Sequence, residues 1–275
     1  MKLQFLGTSA SPSVPLPFCR CEFCLKAREI GGKNYRKRAS ILINEDLMID
    51  LGPDTMSAAQ AYNISISGIK ICLQTHLHED HFDSEMIISR HRDYGCEGLH
   101  PLILAGSEPT IKRVASLVGQ RSDYALDFRV IEPFVDCDLG FYQITGYPAN
   151  HGSVDEGCFI YMIKAGERCL LYATDTSVLA EELWQDFVKK NVKFDLIILD
   201  CTYGLGFESR KRDHLAIKDF IEHVKRFRGS GLLQESGEIY ATHISHEGCL
   251  LHSEYDNFAL ARGYHIAYDG LKIEM

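Results

Sequence analysis

Positive charge is in short supply: 29 Lys and Arg against 38 Asp and Glu leave a formal charge of −9 at pH 7. A general nucleic-acid binder normally shows a basic footprint, so this balance disfavours one. No run of about 18 apolar residues occurs anywhere, so no membrane-spanning helix is expected. Nor does an apolar stretch follow a basic start, so no signal peptide is expected and the cytoplasm is the expected compartment. Repeats, low-complexity tracts and obvious linkers are missing too. What is present is ordinary globular chemistry, 45% hydrophobic and 24% charged. At 275 residues the chain can bury a large core without covalent staples. Its ten cysteines therefore read as reduced thiols or metal ligands rather than as a secreted disulfide framework.

Period-2 alternation and turn residues outline the elements. Strands are expected at Lys2–Leu6, as a hairpin at Ser40–Ile43 and Leu47–Ile49, and at Lys70–Gln74. Further strands are expected at Leu102–Ala105, Phe141–Gly146, Phe159–Ile163, Cys169–Ala173, Phe194–Leu199 and Glu238–Ala241, with a short β segment at the end. Helical spacing falls on Asp54–Tyr62, Ser84–Arg92, Pro109–Val118, Val178–Lys190, His214–Arg226 and Gly248–Ala261. The pattern reads as one domain over residues 1–275, β-rich with intervening helices, in two halves with polar residues at strand ends.

Chemistry concentrates at those strand ends. The apolar run Ile69-Lys70-Ile71-Cys72-Leu73 leads into His76-Leu77-His78-Glu79-Asp80-His81. In extended chain, residues i and i+2 point to one side, so His76 and His78 can reach one metal. Asp80 and His81 follow where the chain must turn and can aim at a second. Imidazole and carboxylate suit Zn²⁺, Mn²⁺ or Fe²⁺. Beyond further strands come His151, Asp175, Asp213-His214, and the pair His243 and His246 in Thr242-His243-Ile244-Ser245-His246. Their repetition at strand ends raises them as a set.

These motifs resemble the metallo-β-lactamase superfamily over essentially the whole chain, and in particular the branch containing the cyclic phosphodiesterase of the carbon–phosphorus lyase pathway. The resemblance implies an α/β (α+β) fold, a four-layer αββα sandwich. It also implies one metal on His76, His78 and His151, a second on Asp80, His81 and His243, and Asp175 bridging both. Asp50, in Met48-Ile49-Asp50-Leu51-Gly52, matches a further family motif and would support the ligands from behind.

Cys19-Arg20-Cys21-Glu22-Phe23-Cys24 is separate evidence. Three thiols so close cannot all pair as disulfides, but they suit a structural zinc that needs one more ligand. The resemblance supplies His246 as that fourth ligand. The triplet disfavours the lactamases and glyoxalases of the superfamily. It does not fix the substrate, since an enzyme-like protein of pyrroloquinoline quinone biosynthesis shares the pattern. Cys72, Cys96, Cys137, Cys158, Cys169, Cys201 and Cys249 are scattered, mostly in apolar company, and read as free thiols.

The expected cofactors are thus two divalent active-site metals and one structural zinc. The expected function is hydrolysis of a small phosphodiester, cyclic ones included, by hydroxide generated at a two-metal centre. His214 and Asp80 are the candidate catalytic residues, His214 as proton donor to the leaving oxygen. Arg210-Lys211-Arg212 beside it is either a phosphate contact or a solvated loop. A tRNA 3′-processing-type nuclease is the alternative enzyme, disfavoured by the charge and by the lack of an inserted Gly/Pro-rich basic arm. A non-catalytic metal-binding or sensory module is the alternative outside enzymes. The expected partner is a small-molecule substrate, with no membrane, and a homodimer is compatible with the sequence.

Overall fold

The computed structural model describes residues 1–118 and 121–275. Fourteen strands are found among them. They are β1 (Lys2–Gly7), β2 (Ser40–Ile43), β3 (Leu47–Ile49), β4 (Ile71–Leu73), β5 (Leu102–Gly106), β6 (Leu126–Val130), β7 (Asp136–Leu139), β8 (Tyr142–Pro148), β9 (Phe159–Ala165), β10 (Arg168–Ala173), β11 (Phe194–Asp200), β12 (Leu233–Thr242), β13 (His265–Ile266) and β14 (Lys272–Glu274). They form two seven-stranded sheets, ordered β14-β1-β2-β3-β4-β5-β6 and β13-β12-β11-β10-β9-β8-β7. The helices are α1 (Glu22–Ile30), α2 (Thr55–Tyr62), α3 (Ser84–Ile88), α4 (Glu108–Leu117), α5 (Glu181–Lys189), α6 (Ile217–Gly229) and α7 (His252–Leu260). No helix among the described residues is long and apolar enough to cross a membrane.

Alternation within the strands explains the layers. Phe159, Tyr161 and Ile163 of β9 face Phe5, Ile41, Ile49 and Leu73 of the other sheet, in a core between the sheets. The intervening Ile160 and Met162 turn outward and pack with Leu183, Trp184 and Phe187 of α5 and Phe220, Val224 and Phe227 of α6. On the far side, Met48, Cys72 and Leu104 meet Ala58, Ile87, Ile111 and Val114 from α2, α3 and α4. The result is the expected αββα sandwich, with sheets half buried by each other and half by helices. Every residue of β11 is buried, as expected for a strand paired in parallel on both sides and covered on both faces.

Four differences from the sequence reading bear on the site. α6 starts at Ile217, so His214 precedes the helix on an extended approach and does not open it. α5 and α7 also start later than their polar patterns predict, at Glu181 and His252. The Cys-rich segment contains a helix that the sequence reading leaves as loop: α1, capped by the Cys21 side chain accepting from Cys24 N. β6 and β7 were not anticipated, because their exposed, charge-interrupted patterns (Leu-Asp-Phe-Arg-Val and Asp-Cys-Asp-Leu) lack a continuous apolar face.

Candidate metal and hydrolytic site

The polar strand ends converge on one edge of the sandwich. Three of the converging residues have positive φ without being glycine: Asp50 (64°), Asp175 (52°) and His243 (61°). Each follows the apolar part of a strand, and each sparsely populated conformation costs about 1–3 kcal/mol, which packing elsewhere must offset. Such strain turns a side chain sharply off the strand axis towards the edge. Gly52 is required nearby, because a Cβ there would lie 2.5 Å from the Asp80 carbonyl oxygen.

The histidines are held by their outer nitrogens, which determines what their inner nitrogens can do. His81 Nδ1 donates to Asp50 Oδ2 at 2.7 Å. His151 Nδ1 donates to the Asp213 carbonyl at 2.9 Å. Thr75 Oγ1 lies 2.9 Å from both Asp50 oxygens and 3.0 Å from His76 Nδ1. With one proton to give, Thr75 donates to the carboxylate and accepts from His76 Nδ1. Thr202 Oγ1 has oxygen acceptors at Asp200 Oδ1 (3.0 Å) and the His243 carbonyl (2.9 Å), so it likewise accepts from His243 Nδ1 at 2.8 Å. In all four imidazoles Nε2 is thereby left as a lone pair pointing inward. His78 is reversed: its Nδ1 lies 3.2 Å from His151 Nε2, while its Nε2 is 3.8 Å from Glu156.

Those inward atoms form two groups, each with ligand atoms mutually within 4.8 Å: His76, His78 and His151; and Asp80, His81, Asp175 and His243. Asp175 divides its oxygens between them. Oδ1 is 4.0 Å from His76 Nε2 and 3.8 Å from His151 Nε2. Oδ2 is 2.9 Å from His81 Nε2 and 3.3 Å from His243 Nε2. Among the described residues, His76 Nε2, His81 Nε2, His243 Nε2 and Asp175 Oδ2 are all buried without a hydrogen-bond partner. Each unsatisfied buried group costs about 1–3 kcal/mol, and with the Nε2 atoms unprotonated the short contacts of His81 and His243 to Asp175 Oδ2 set lone pairs against a carboxylate. Divalent cations shared by each group would satisfy all four, and the donor set of neutral imidazole and carboxylate suits them.

Electrostatics agree. Burial works to raise the Asp175 carboxyl, but His243 and His81 outweigh it and hold the carboxyl well below its usual range. Burial works to lower His81, but Asp175, Asp80 and Asp50 hold it well above its ordinary value. The carboxylates thus demand positive charge at this spot, which a cation would supply in place of protons.

His214 borders both groups, its ring 4.9 Å from that of His151 and 5.0 Å from that of His243. Nδ1 lies 3.0 Å from Asp200 Oδ2, and Nε2 lies 3.3 Å from Asp213 Oδ1. Burial acts to lower its pKa, yet the Asp200 carboxylate prevails and holds the imidazole above its ordinary value. Asp200, fully buried, is the hub, and the sequence reading gives it no role of its own. It also accepts from the backbone N–H groups of Asp175, Thr202 and Leu215. The available signal was its position: Leu199-Asp200 ends a buried strand as Ile49-Asp50 does. Of the basic run, Arg210 stacks over Tyr203 at 4.7 Å and Arg212 Nε donates to the Gly152 carbonyl at 2.6 Å.

A third group stands apart: Cys19, Cys21, Cys24 and His246. His246 Nδ1 is 3.6 Å from Cys19 Sγ and 3.7 Å from Cys21 Sγ. A tetrahedral zinc with ordinary bond lengths gives an S···N edge of about 3.5 Å, so the spacing fits. Arg28 of α1 braces the loop by donating to the carbonyls of Leu16, Pro17 and Cys19. Of the remaining histidines, His223 accepts from Leu179 N, and His252 Nδ1 lies 3.2 Å from the buried Arg36 guanidinium. Both serve structure.

The sequence profile of the β-lactamase superfamily domain matches residues 46–244. No curated protein matches significantly in sequence. Among solved structures, the chain is similar to a diphosphatase of the PhnP family, at 22% identity and a TM-score of 0.74, covering 100% of this chain and 96% of that one. It is similar to zinc-bound PqqB from Methylobacterium extorquens at 19% identity and a TM-score of 0.74, covering 100% of both chains. Human tRNase Z, short form, is more distant, at 15% identity and a TM-score of 0.64, covering 100% of this chain and 99% of that one.

Proposed function

The chain belongs to the metallo-β-lactamase superfamily of hydrolases, and we propose that within it the protein is a phosphodiesterase acting on a small phosphodiester, cyclic diesters included. The observation that carries this reading is His214. It lies against both ligand groups, with Nδ1 3.0 Å from the buried Asp200 carboxylate and Nε2 3.3 Å from the partly exposed Asp213 carboxylate. That is the arrangement of a proton donor for an alkoxide leaving group. His76, His78 and His151 would hold one divalent cation and Asp80, His81 and His243 the other, with Asp175 between them. When bound, such a pair supplies an acidified water as nucleophile and neutralises phosphoryl charge. Asp80 lines the cavity over the site and offers a carboxylate to orient that water. The cavity measures about 530 Å³, and its lining sets Glu79, Asp155 and Glu156 against a single Arg113, a balance that opposes a polyanion such as an RNA strand. Metal-reconstituted protein is expected to contain three metals per chain and to turn over cyclic and linear alkyl phosphodiesters in preference to a precursor tRNA or a β-lactam. A count of one or none, or a preference for the tRNA, refutes this reading. No turnover with full metal content favours a binding module instead.

The Cys19, Cys21, Cys24 and His246 group would hold a structural zinc, because it ties α1 to the segment after His243 and lies outside the cavity over the site. Structural zinc contributes directly to folding free energy. Cys21→Ser is therefore expected to lower the melting temperature by at least several degrees and to remove one zinc, while the metals at the hydrolytic groups remain. Melting curves with and without chelator, alongside elemental analysis, test this. An unchanged curve after complete loss of that zinc contradicts it.

A further inference from the structure

A second cavity, of about 510 Å³, lies behind His151. His151 belongs to the wall of this cavity and also to the first ligand group, whose other members His76 and His78 line the cavity over the site. The cavities also share Pro109. Between them runs a short strap from Gly152 to Gly157. Both glycines have positive φ (54° and 65°), and a Cβ on Gly157 would lie 2.6 Å from Ser107 Oγ. The strap is tied by Ser153 N donating to Glu156 Oε2 at 2.7 Å, and by Arg212 Nε gripping Gly152.

The strap's two sides differ in chemistry. Asp155 and Glu156 face the cavity over the ligand groups. Val154 faces the other and is 77% exposed. Val130, Pro133, Ala149 and Phe159 continue that apolar wall. The Phe159 ring is seated over Gly146, where a Cβ would come within 2.6 Å of it. The charged groups on this side, Glu108, Glu132 and Arg212, include more acid than base, which opposes a second phosphate.

We propose that this second cavity is a substrate subsite that takes a neutral, apolar ester arm, aryl or branched alkyl, of the diester whose phosphoryl group sits at the ligand groups. The inference rests on the phosphodiesterase reading for the name of the substrate, but the subsite itself can be read without turnover. Two diesters with the same 4-nitrophenolate leaving group, one carrying a methyl arm and one a phenyl arm, are compared on the metal-loaded protein. Phenyl over methyl is expected to be favoured roughly ten- to hundredfold in kcat/KM, the effect of burying about one large apolar side chain's worth of surface. Val154→Asp, at an exposed position that leaves folding intact, is expected to lower that ratio at least fivefold. Intrinsic reactivity is common to both proteins, so the change in ratio reports the cavity. In parallel, phenylphosphonate and methylphosphonate are titrated by calorimetry, where phenyl should bind more tightly and lose that advantage in Val154→Asp. Turnover with no phenyl preference, or a preference unmoved by Val154→Asp and by Val130→Asp, overturns the subsite and leaves the diesterase reading standing. Absence of turnover together with a phenylphosphonate preference sensitive to Val154 supports the subsite and refutes the diesterase reading.

Discussion

Asp175→Ala is expected to abolish diesterase turnover and to release metal from both ligand groups at once. The reason is the division of its carboxylate, with Oδ1 directed to His76 and His151 and Oδ2 to His81 and His243. Removing it leaves each group one oxygen short and takes away the charge that offsets four surrounding imidazoles. Alanine is also less at home than Asp at a φ of 52°, so fold damage has to be separated from loss of ligation. Asp175→Asn serves that purpose, because Asn tolerates left-handed backbone and keeps the shape of the side chain while removing its charge. Both variants should lose turnover and metal, while Asn retains a native circular dichroism spectrum. Elemental analysis after dialysis, combined with rates on an alkyl diester, gives the result. Near wild-type turnover with both metals retained would defeat the bridging assignment.

His214→Ala should lower turnover of an alkyl or cyclic diester by roughly 10²–10⁴, the usual worth of general acid catalysis. The metals should stay bound, since the nitrogens of His214 are engaged by Asp200 and Asp213. The loss should depend on the leaving group. An alkoxide needs a proton to depart, whereas a nitrophenolate is already stable as an anion. The variant should therefore fail on the alkyl diester and keep much of its activity on the aryl one. Equal losses on both would assign His214 to substrate binding or fold support. Loss of a metal would place it in the ligand set, where its proximity to His243 and Asp200 makes it eligible.

Much of this was legible in the chain itself, because the informative rules are local. Short apolar runs bounded by turn residues placed β9, β10 and β11 to within about two residues, since strand pattern depends on near neighbours along the chain. Alternation put His76 and His78 on one side of an extended segment. Errors fell where local pattern and tertiary contact disagree. Asp213-His214 reads from the sequence as a helix entrance after the basic run Arg210-Lys211-Arg212. Instead that run makes a turn, and His214 and Leu215 follow outside any helix until α6 starts at Ile217, with Leu215 N donating to Asp200 and Ala216 N to Ser209 Oγ, holding His214 at the site.

Strand-end chemistry by itself determined the residue types able to bind cations, composition determined the formal charge of −9, and the resemblance carried by the motifs supplied the αββα class. Only the tertiary structure decided which of those residues meet, that Asp175 faces both groups, that Asp200 backs His214, and that an apolar cavity lies behind His151. The physical reason is distance along the chain. Asp50 orients His81 across 31 residues, and Cys19 approaches His246 across 227. Such pairings are set by two sheets closing on a common core, a cooperative event that no short window of sequence encodes.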